Sequence, residues 1–282
     1  MIDLHTHTTA SDGRCTPAEL VARASAAGVS VLSVTDHDTV AGGDAAAEAC
    51  NGAGLTFVPG IEITAVHEGV DVHVLGYFID RQARDLHAFL VEQRRRRLER
   101  VRQMIERLAT HGLHLDADAI LKPGLEDESR AAGRPWIARA LVEARYVKTT
   151  NDAFDYWLAR GRPAFVARLA AAPSEVIAQI HASGGIASLA HPGLVRRDEW
   201  IPVLAASGLD ALEVYHTNHD RLATDRYRMI ASRLGLAVSG GSDFHGDDSH
   251  GPANPGGVSL PREDYDRLAA RRATASGADT SS

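Results

Sequence analysis

Short unbroken apolar runs recur along the chain, separated by stretches whose apolar residues fall at helical spacing. Residues 29–35, 55–58, 70–78, 186–190, 209–214 and 236–239 have the pattern of strands buried on both faces. Thr16-Pro17 followed by Glu19 predicts a helix start, with Thr16 as N-cap, Pro17 at the first helical position and Glu19 at the third. That helix continues through Leu20, Val21 and Ala24 and stops at Gly28. Further helices are predicted over about 40–50, 173–183, 200–206, 224–234 and 262–271. Strand and helix in alternation predict parallel β-α units and an α/β fold, with the polar residues gathered where the strands end.

The character changes near residue 81. Leu86, Phe89, Leu90, Leu98, Val101, Ile105 and Leu108 lie on one stripe of a long amphipathic helix that fades at Gly112. A loop rich in glycine and charge is expected over 122–134, then helices over 135–144 and 151–160, the second with Phe154, Trp157 and Leu158 on its apolar side. The chain therefore divides into barrel residues 1–80, a helical insertion or cap at 81–166, barrel residues 167–272, and a small polar tail, 273–282, expected to be disordered.

Composition narrows the function. A chain of 282 residues with 44% hydrophobic content builds a sizeable core, and a net charge of -7 argues against coating long nucleic-acid duplexes. The run Arg94 to Arg97, flanked by Glu92 and Glu99, reads as a solvated helix face. Cys15 and Cys50 form no framework and suggest a reducing compartment; Cys15 is expected to pack. With no apolar run of membrane-spanning length and no signal-peptide pattern, a cytoplasmic protein with no membrane role is expected, and no obligate protein partner is foreseen.

The candidate chemistry sits at the ends of the predicted strands. His5 and His7, one residue apart, point to the same side of an opening strand. Asp12, His37, Glu62, His73, His191, Asp243 and His245 occupy the same relative place in later units, where the loops of an α/β barrel converge. So many nitrogen and oxygen donors without a thiolate exceed one ion's needs and suit two or three divalent ions, Mn, Zn or Fe. Such a centre is suited to phosphoester hydrolysis, in which a metal-bound hydroxide attacks phosphorus while the ions neutralise the phosphoryl oxygens.

These motifs resemble a known family. His5-Thr6-His7, Ser11-Asp12-Gly13, Thr35-Asp36-His37-Asp38, Gly60-Ile61-Glu62, His73-Val74-Leu75-Gly76, Ala190-His191-Pro192 and Gly241-Ser242-Asp243-Phe244-His245-Gly246 are similar to the successive motifs of the polymerase and histidinol phosphatase (PHP) family. The resemblance implies a distorted seven-stranded β/α barrel with a trinuclear metal centre. It implies that His5, His7, Glu62 and Asp243 hold one ion, Glu62 with His73 and His191 a second, and Asp12, His37 and His245 a third.

The insertion looks like that of the subgroup acting on nucleoside 3',5'-bisphosphates and on the 5' end of short RNA. Gly133-Arg134-Pro135 matches a stretch of that insertion, but Trp136 stands where histidine is expected. Arg134 is the candidate phosphate clamp, with Arg160 and Arg162 as weaker candidates for the same task. His216 is expected to protonate a leaving oxygen or hold phosphate, and Asp243 to act in catalysis as well as in ligation. The alternatives are a histidinol-phosphate-type phosphatase, a metal-dependent amidohydrolase and a non-catalytic nucleotide-binding barrel. An amidohydrolase commonly needs a bridging lysine, and the only lysines, Lys122 and Lys148, fall in the insertion.

Overall fold

The computed structural model describes residues 1–126, 132–246, 252 and 254–277. Strands β1 (Ile2–Asp3), β2 (Val31–Val34) and β3 (Thr56–His67) run parallel, as do β5 (Ile186–Leu189), β6 (Ala211–Tyr215) and β7 (Ala237–Gly240). Between these sets β4 (Val70–Tyr77) runs antiparallel to both β3 and β5. The strands form one 7-stranded sheet in sequence order. A parallel bridge between Thr6 and Phe244, with the His7 amide donating to the Phe244 carbonyl at 2.9 Å, brings the sheet round into a nearly closed barrel. At that seam a Cβ on Gly241 would lie 2.3 Å from the backbone nitrogen of His5, so only glycine fits.

Helices α1 (Pro17–Ala26) and α2 (Gly43–Ala53) occupy the first two crossovers. After β4 come α3 (Arg84–Thr110), α4 (Ala117–Glu126), α5 (Arg134–Glu143) and α6 (Thr150–Ala153), the last running into a π-helical turn over Phe154–Leu158. Then α7 (Pro173–Ala182) precedes β5, α8 (Pro192–Val195) and α9 (Ile201–Ala206) precede β6, α10 (Arg221–Arg233) precedes β7, and α11 (Arg262–Gly277) follows it. The expected start of α1 is present: Thr16 and Glu19 form a reciprocal capping box with Pro17 in the first turn.

The strand pattern departs from the sequence expectation in two ways. Pro59-Gly60 does not end a strand. Instead β3 pairs with β2 up to Pro59 and with β4 from Gly60, so the residue without an amide donor marks the change of partner. The expected uniform parallel rhythm also fails at β4, which returns through the tight turn Glu68-Gly69. Both turn residues have positive φ, 49° and 74°, the requirement of a type I′ hairpin.

Two helical expectations change as well. Part of the loop expected over 122–134 is helix α4, started by the Asp116 carboxylate accepting from the Ala119 amide and anchored by buried Leu121; residues 127–131 lie outside the described residues. The tail expected to be disordered from residue 273 is helical to Gly277, and its remainder, 278–282, lies outside the described residues.

The chain forms two compact units, Met1–Leu90 with Ala171–Ser282, and Val91–Ala170. The first contains the barrel, where Ile61, Ile63, Val74, Ile177, Ile180, Leu212 and Val214 belong to one buried cluster. The second has its own core, built from Met104, Ile105 and Leu108 of α3, Leu121 of α4, Ile137 and Leu141 of α5, and Leu158. On α3, Arg95 and Arg96 pair with Glu92 at 2.7 and 2.8 Å, as a solvated charged face requires. Among the described residues no helix is long and apolar enough to cross a membrane.

Candidate metal centre

The ends of the barrel strands aim the donors. Past β1, the Thr6 hydroxyl donates to the Ser33 carbonyl at 2.7 Å, while His5 and His7 turn to the other side and are fully buried. Past β2, Asp36 and Asp38 both hold backbone. Asp36 accepts from the Thr8 amide, the Thr8 hydroxyl and the Ser11 hydroxyl, each at 2.7 Å, and so shapes the loop that carries Asp12. Asp38, at φ 55°, accepts from the Thr64 amide at 2.8 Å and its hydroxyl at 3.1 Å. His37, between them, faces the cluster.

The reversal of β4 explains His73. In a parallel strand a residue so near the start would lie at the far end of the barrel. The hairpin instead pairs His73 with Thr64, so it lies on the same face as Glu62 and at the same mouth. Its Nδ1 is 2.9 Å from Glu62 Oε1. His191 and Asp243, after β5 and β7, have left-handed backbones at φ 25° and 54°.

Glu62 lies at the middle of the set, with no exposure. Its Oε1 is 3.1 Å from His191 Nε2, and its Oε2 is 3.2 Å from His5 Nε2, 3.3 Å from His7 Nε2 and 3.1 Å from His37 Nδ1. Asp243 Oδ1 is 3.1 Å from His7 Nε2 and 3.3 Å from His5 Nε2, and its Oδ2 is 3.2 Å from His216 Nε2. Asp12, whose side chain is 54% exposed, has Oδ1 3.4 Å from His245 Nε2 and 3.8 Å from His7 Nδ1. Among the described residues the donors fall into overlapping groups: His7, Asp12, His37, His245; His5, His216, Asp243; His5, Glu62, His191; and His37, Glu62, His73.

This donor set fits divalent metal ions. His7 is fully buried, yet neither ring nitrogen has a hydrogen-bond partner, and His37 Nδ1 and His191 Nδ1 share that condition. A buried polar atom left unpaired is costly, and here the His7 nitrogens and His37 Nδ1 face other donor atoms. The separations of His7 and His37 from Glu62 and Asp243, 3.1–3.3 Å without hydrogen-bond geometry, match the edges of a coordination polyhedron: ligands about 2.0–2.1 Å from a tetrahedral ion lie about 3.3 Å apart.

The electrostatics point the same way. Burial pushes the His5 and His7 imidazoles toward the neutral form, but attraction to Glu213, Asp243 and Glu62 raises His5 well above its usual value, and Asp243 and Glu62 raise His7 to about 10. Burial would raise Glu62 and Asp243, and the surrounding imidazoles hold both well below the carboxylate range. His37 goes the other way, lowered to about 3 chiefly by burial. The carboxylates thus demand positive charge, which protons on His5 and His7 meet without metal and which divalent cations would meet in their place.

The family model of the PHP domain matches residues 3–144. The chain belongs to the PHP family. It is 37% identical over 252 residues to the 5'-3' exoribonuclease Rnm of Salmonella typhimurium, covering 86% of this chain and 84% of that protein. It is 34% identical over 251 residues to the 3',5'-nucleoside bisphosphate phosphatase of Chromobacterium violaceum, covering 86% and 87%. A solved structure from Bifidobacterium adolescentis, assigned to the metal-dependent phosphoesterases, superposes with a TM-score of 0.79 at 35% identity over 95% of both chains. This PHP chain is accordingly a metal-dependent phosphoesterase.

Around the PHP donors stand two further carboxylates, Glu213 and Asp3, outside the nine candidate ligands. Glu213 is fully buried against His5 and His191. Asp3 accepts from the Ser242 amide and hydroxyl, at 2.9 and 2.6 Å, and from the Gly256 amide at 2.7 Å, tying the loop of Asp243 to β1. An acidic residue in an otherwise apolar strand was the available signal for both. Cys15 packs with Leu20, Val34 and Phe244, as expected. Arg134, Arg160 and Arg162 belong to the second unit. There Arg134 lies over the Phe154 ring, 5.7 Å from its centroid, Arg160 and Arg162 are exposed, and Trp136 packs against the unit's core.

Proposed function

We propose that this PHP chain removes a phosphate from small phosphorylated nucleotides, a nucleoside 3',5'-bisphosphate or the 5' end of a short RNA, with two or three Mn, Zn or Fe ions, in the cytoplasm. The observation that carries this reading is the convergence of donors from six strand ends on Glu62 and Asp243. The relatives named above, matched over most of their length, support the substrate class.

In this reading His5, His7, Glu62 and Asp243 hold one ion, Glu62, His73 and His191 a second, and Asp12, His37 and His245 a third. When bound, such ions supply an activated water and the positive charge that offsets the phosphoryl oxygens in the transition state. The protein's own groups do the rest. His216 Nδ1 accepts from the Asn218 amide at 3.1 Å, which leaves its proton on Nε2, beside Asp243 Oδ2. From there it donates to a phosphoryl or leaving oxygen. Arg134 binds the phosphate that is not cleaved, and Arg160 and Arg162 add charge for the same purpose.

The test is a substrate panel of adenosine 3',5'-bisphosphate, short 5'-phosphorylated RNA, histidinol phosphate and p-nitrophenyl phosphate, each assayed with Mn, Zn and Fe. Preferential cleavage of the bisphosphate or the RNA is expected. Rapid histidinol phosphate cleavage without nucleotide cleavage overturns the substrate class.

A further inference from the structure

Strand β6 carries an acidic residue that belongs to none of the donor groups. Leu212 and Val214 pack in the cluster with Ile177, Ile201 and Tyr227, so the alternation of the strand turns Glu213 to the opposite face. The register against β7 shifts between Glu213 and Tyr215, an irregularity that bends the strand at the point where the side chain is aimed. Glu213 is fully buried, and its two oxygens serve different partners: Oε1 lies 2.9 Å from His5 Nδ1, and Oε2 accepts from the backbone amide of His191 at 2.6 Å.

Both partners matter to the centre. A carboxylate at His5 Nδ1 keeps the proton on that nitrogen and leaves the lone pair on Nε2, the atom 3.2 Å from Glu62 and 3.3 Å from Asp243. His191 has a left-handed backbone, φ 25° and ψ 59°, a conformation unfavourable for a non-glycine residue unless its surroundings hold it. The Glu213 contact holds it and presents Nε2 to Glu62 at 3.1 Å. We infer that Glu213 is a positioning residue that sets the His5 tautomer and the His191 backbone together, and with them the spacing of ligands from β1 and β5 around Glu62. This rests on the metal assignment under Proposed function.

Glutamine is the informative replacement. It preserves shape, but its amide oxygen is taken by the His191 amide, so its NH2 meets His5 Nδ1 and either clashes with the proton there or drives it to Nε2, the nitrogen that faces Glu62. The turn of His191 keeps a second anchor, the His219 ring, which accepts from the Gly193 amide at 3.1 Å and bonds the Val214 carbonyl at 2.9 Å. Glu213→Gln is therefore expected to fold.

Metal-free wild type and Glu213→Gln are titrated with Mn(II) alone by chelator competition, and the thermal midpoint of each metal-free protein is measured in parallel. The expected result is an affinity lower by about 10- to 100-fold for at least one ion, with metal-free midpoints within a few degrees of each other. Equal affinity and stoichiometry overturn the inference while leaving the metal assignment intact; failure of wild type to bind Mn(II) or Zn(II) overturns both. Should the variant prove unfolded, the 15N shifts of His5 in Zn(II)-loaded wild type decide. A protonated Nδ1 supports the role, and a protonated Nε2 removes it.

Discussion

Asp38, His191 and Asp243 take left-handed backbones at the mouth of the barrel, each next to or within the donor set. Residues in that region cost about 1–3 kcal/mol each, and here specific contacts hold them: Asp38 to Thr64, Glu213 to the His191 amide, and the Asp243 amide to the His5 carbonyl. The donors are thus held before any ion arrives, and replacing one should affect chemistry more than folding. Asp243→Asn keeps the shape but removes the charge that faces His5, His7 and His216. Turnover should fall about 10²- to 10³-fold, the scale for losing one preorganised electrostatic contact, and His7→Ala should do the same. Steady-state kinetics alongside circular dichroism check this, and near-wild-type turnover in either variant would remove that residue from the centre. For Arg134→Ala the expected effect is a rise in KM of about tenfold on a bisphosphate, with little change on a singly phosphorylated substrate, because a charged hydrogen bond is worth about 1.5–3 kcal/mol. An equal effect on both substrates counts against a clamp.

Between elements, short polar contacts register the helices on the sheet. His181, near the end of α7, lies 2.7 Å from Asp210 before β6, and the same carboxylate oxygen accepts from the Ala187 amide of β5 at 2.8 Å. The Asp210 contact outweighs partial burial and raises the His181 pKa above 6.5. A raised histidine stabilises fully below its unfolded pKa and loses that contribution as pH climbs through its folded value. Wild type should therefore exceed His181→Gln in stability at pH 5.5 by more than it does at pH 8.5. Because the histidine side chain is 37% exposed, the difference should stay below about 1 kcal/mol. Denaturant melts at both pH values read it, and a gap that widens with pH refutes the sign. Much at this scale was legible in the sequence. The capping box of α1 and the donors at strand ends are local signals carried by neighbouring residues. The reversal at β4 was not, because it depends on Glu68 accepting a positive φ, a choice stabilised by the pairing of the whole hairpin. Glu213 was also hidden, since its partners at His5 and His191 are remote in sequence.

For the whole molecule, the donor cluster joins the two ends of the sheet, so ions bound there would cross-link β1 to β7 and both to the antiparallel strand between. Metal that binds the folded state alone adds stability in proportion to the logarithm of its concentration. Stripping with a chelator should lower the thermal midpoint by several degrees, and returning Mn(II) or Zn(II), but not Mg(II), should restore it. A midpoint indifferent to chelation, checked against metal content, would show that the donors stand empty in solution. The order of the donors along the chain also has a consequence for synthesis. His5, His7, Asp12, His37, Glu62 and His73 precede the unit Val91–Ala170, whereas His191, Asp243 and His245 follow it. A nascent chain leaving the ribosome therefore displays a cluster of histidines and acids long before Asp243 and His245 exist to complete it. The proposed centre is therefore complete only once the last strand, β7, and the residues that follow it have been made.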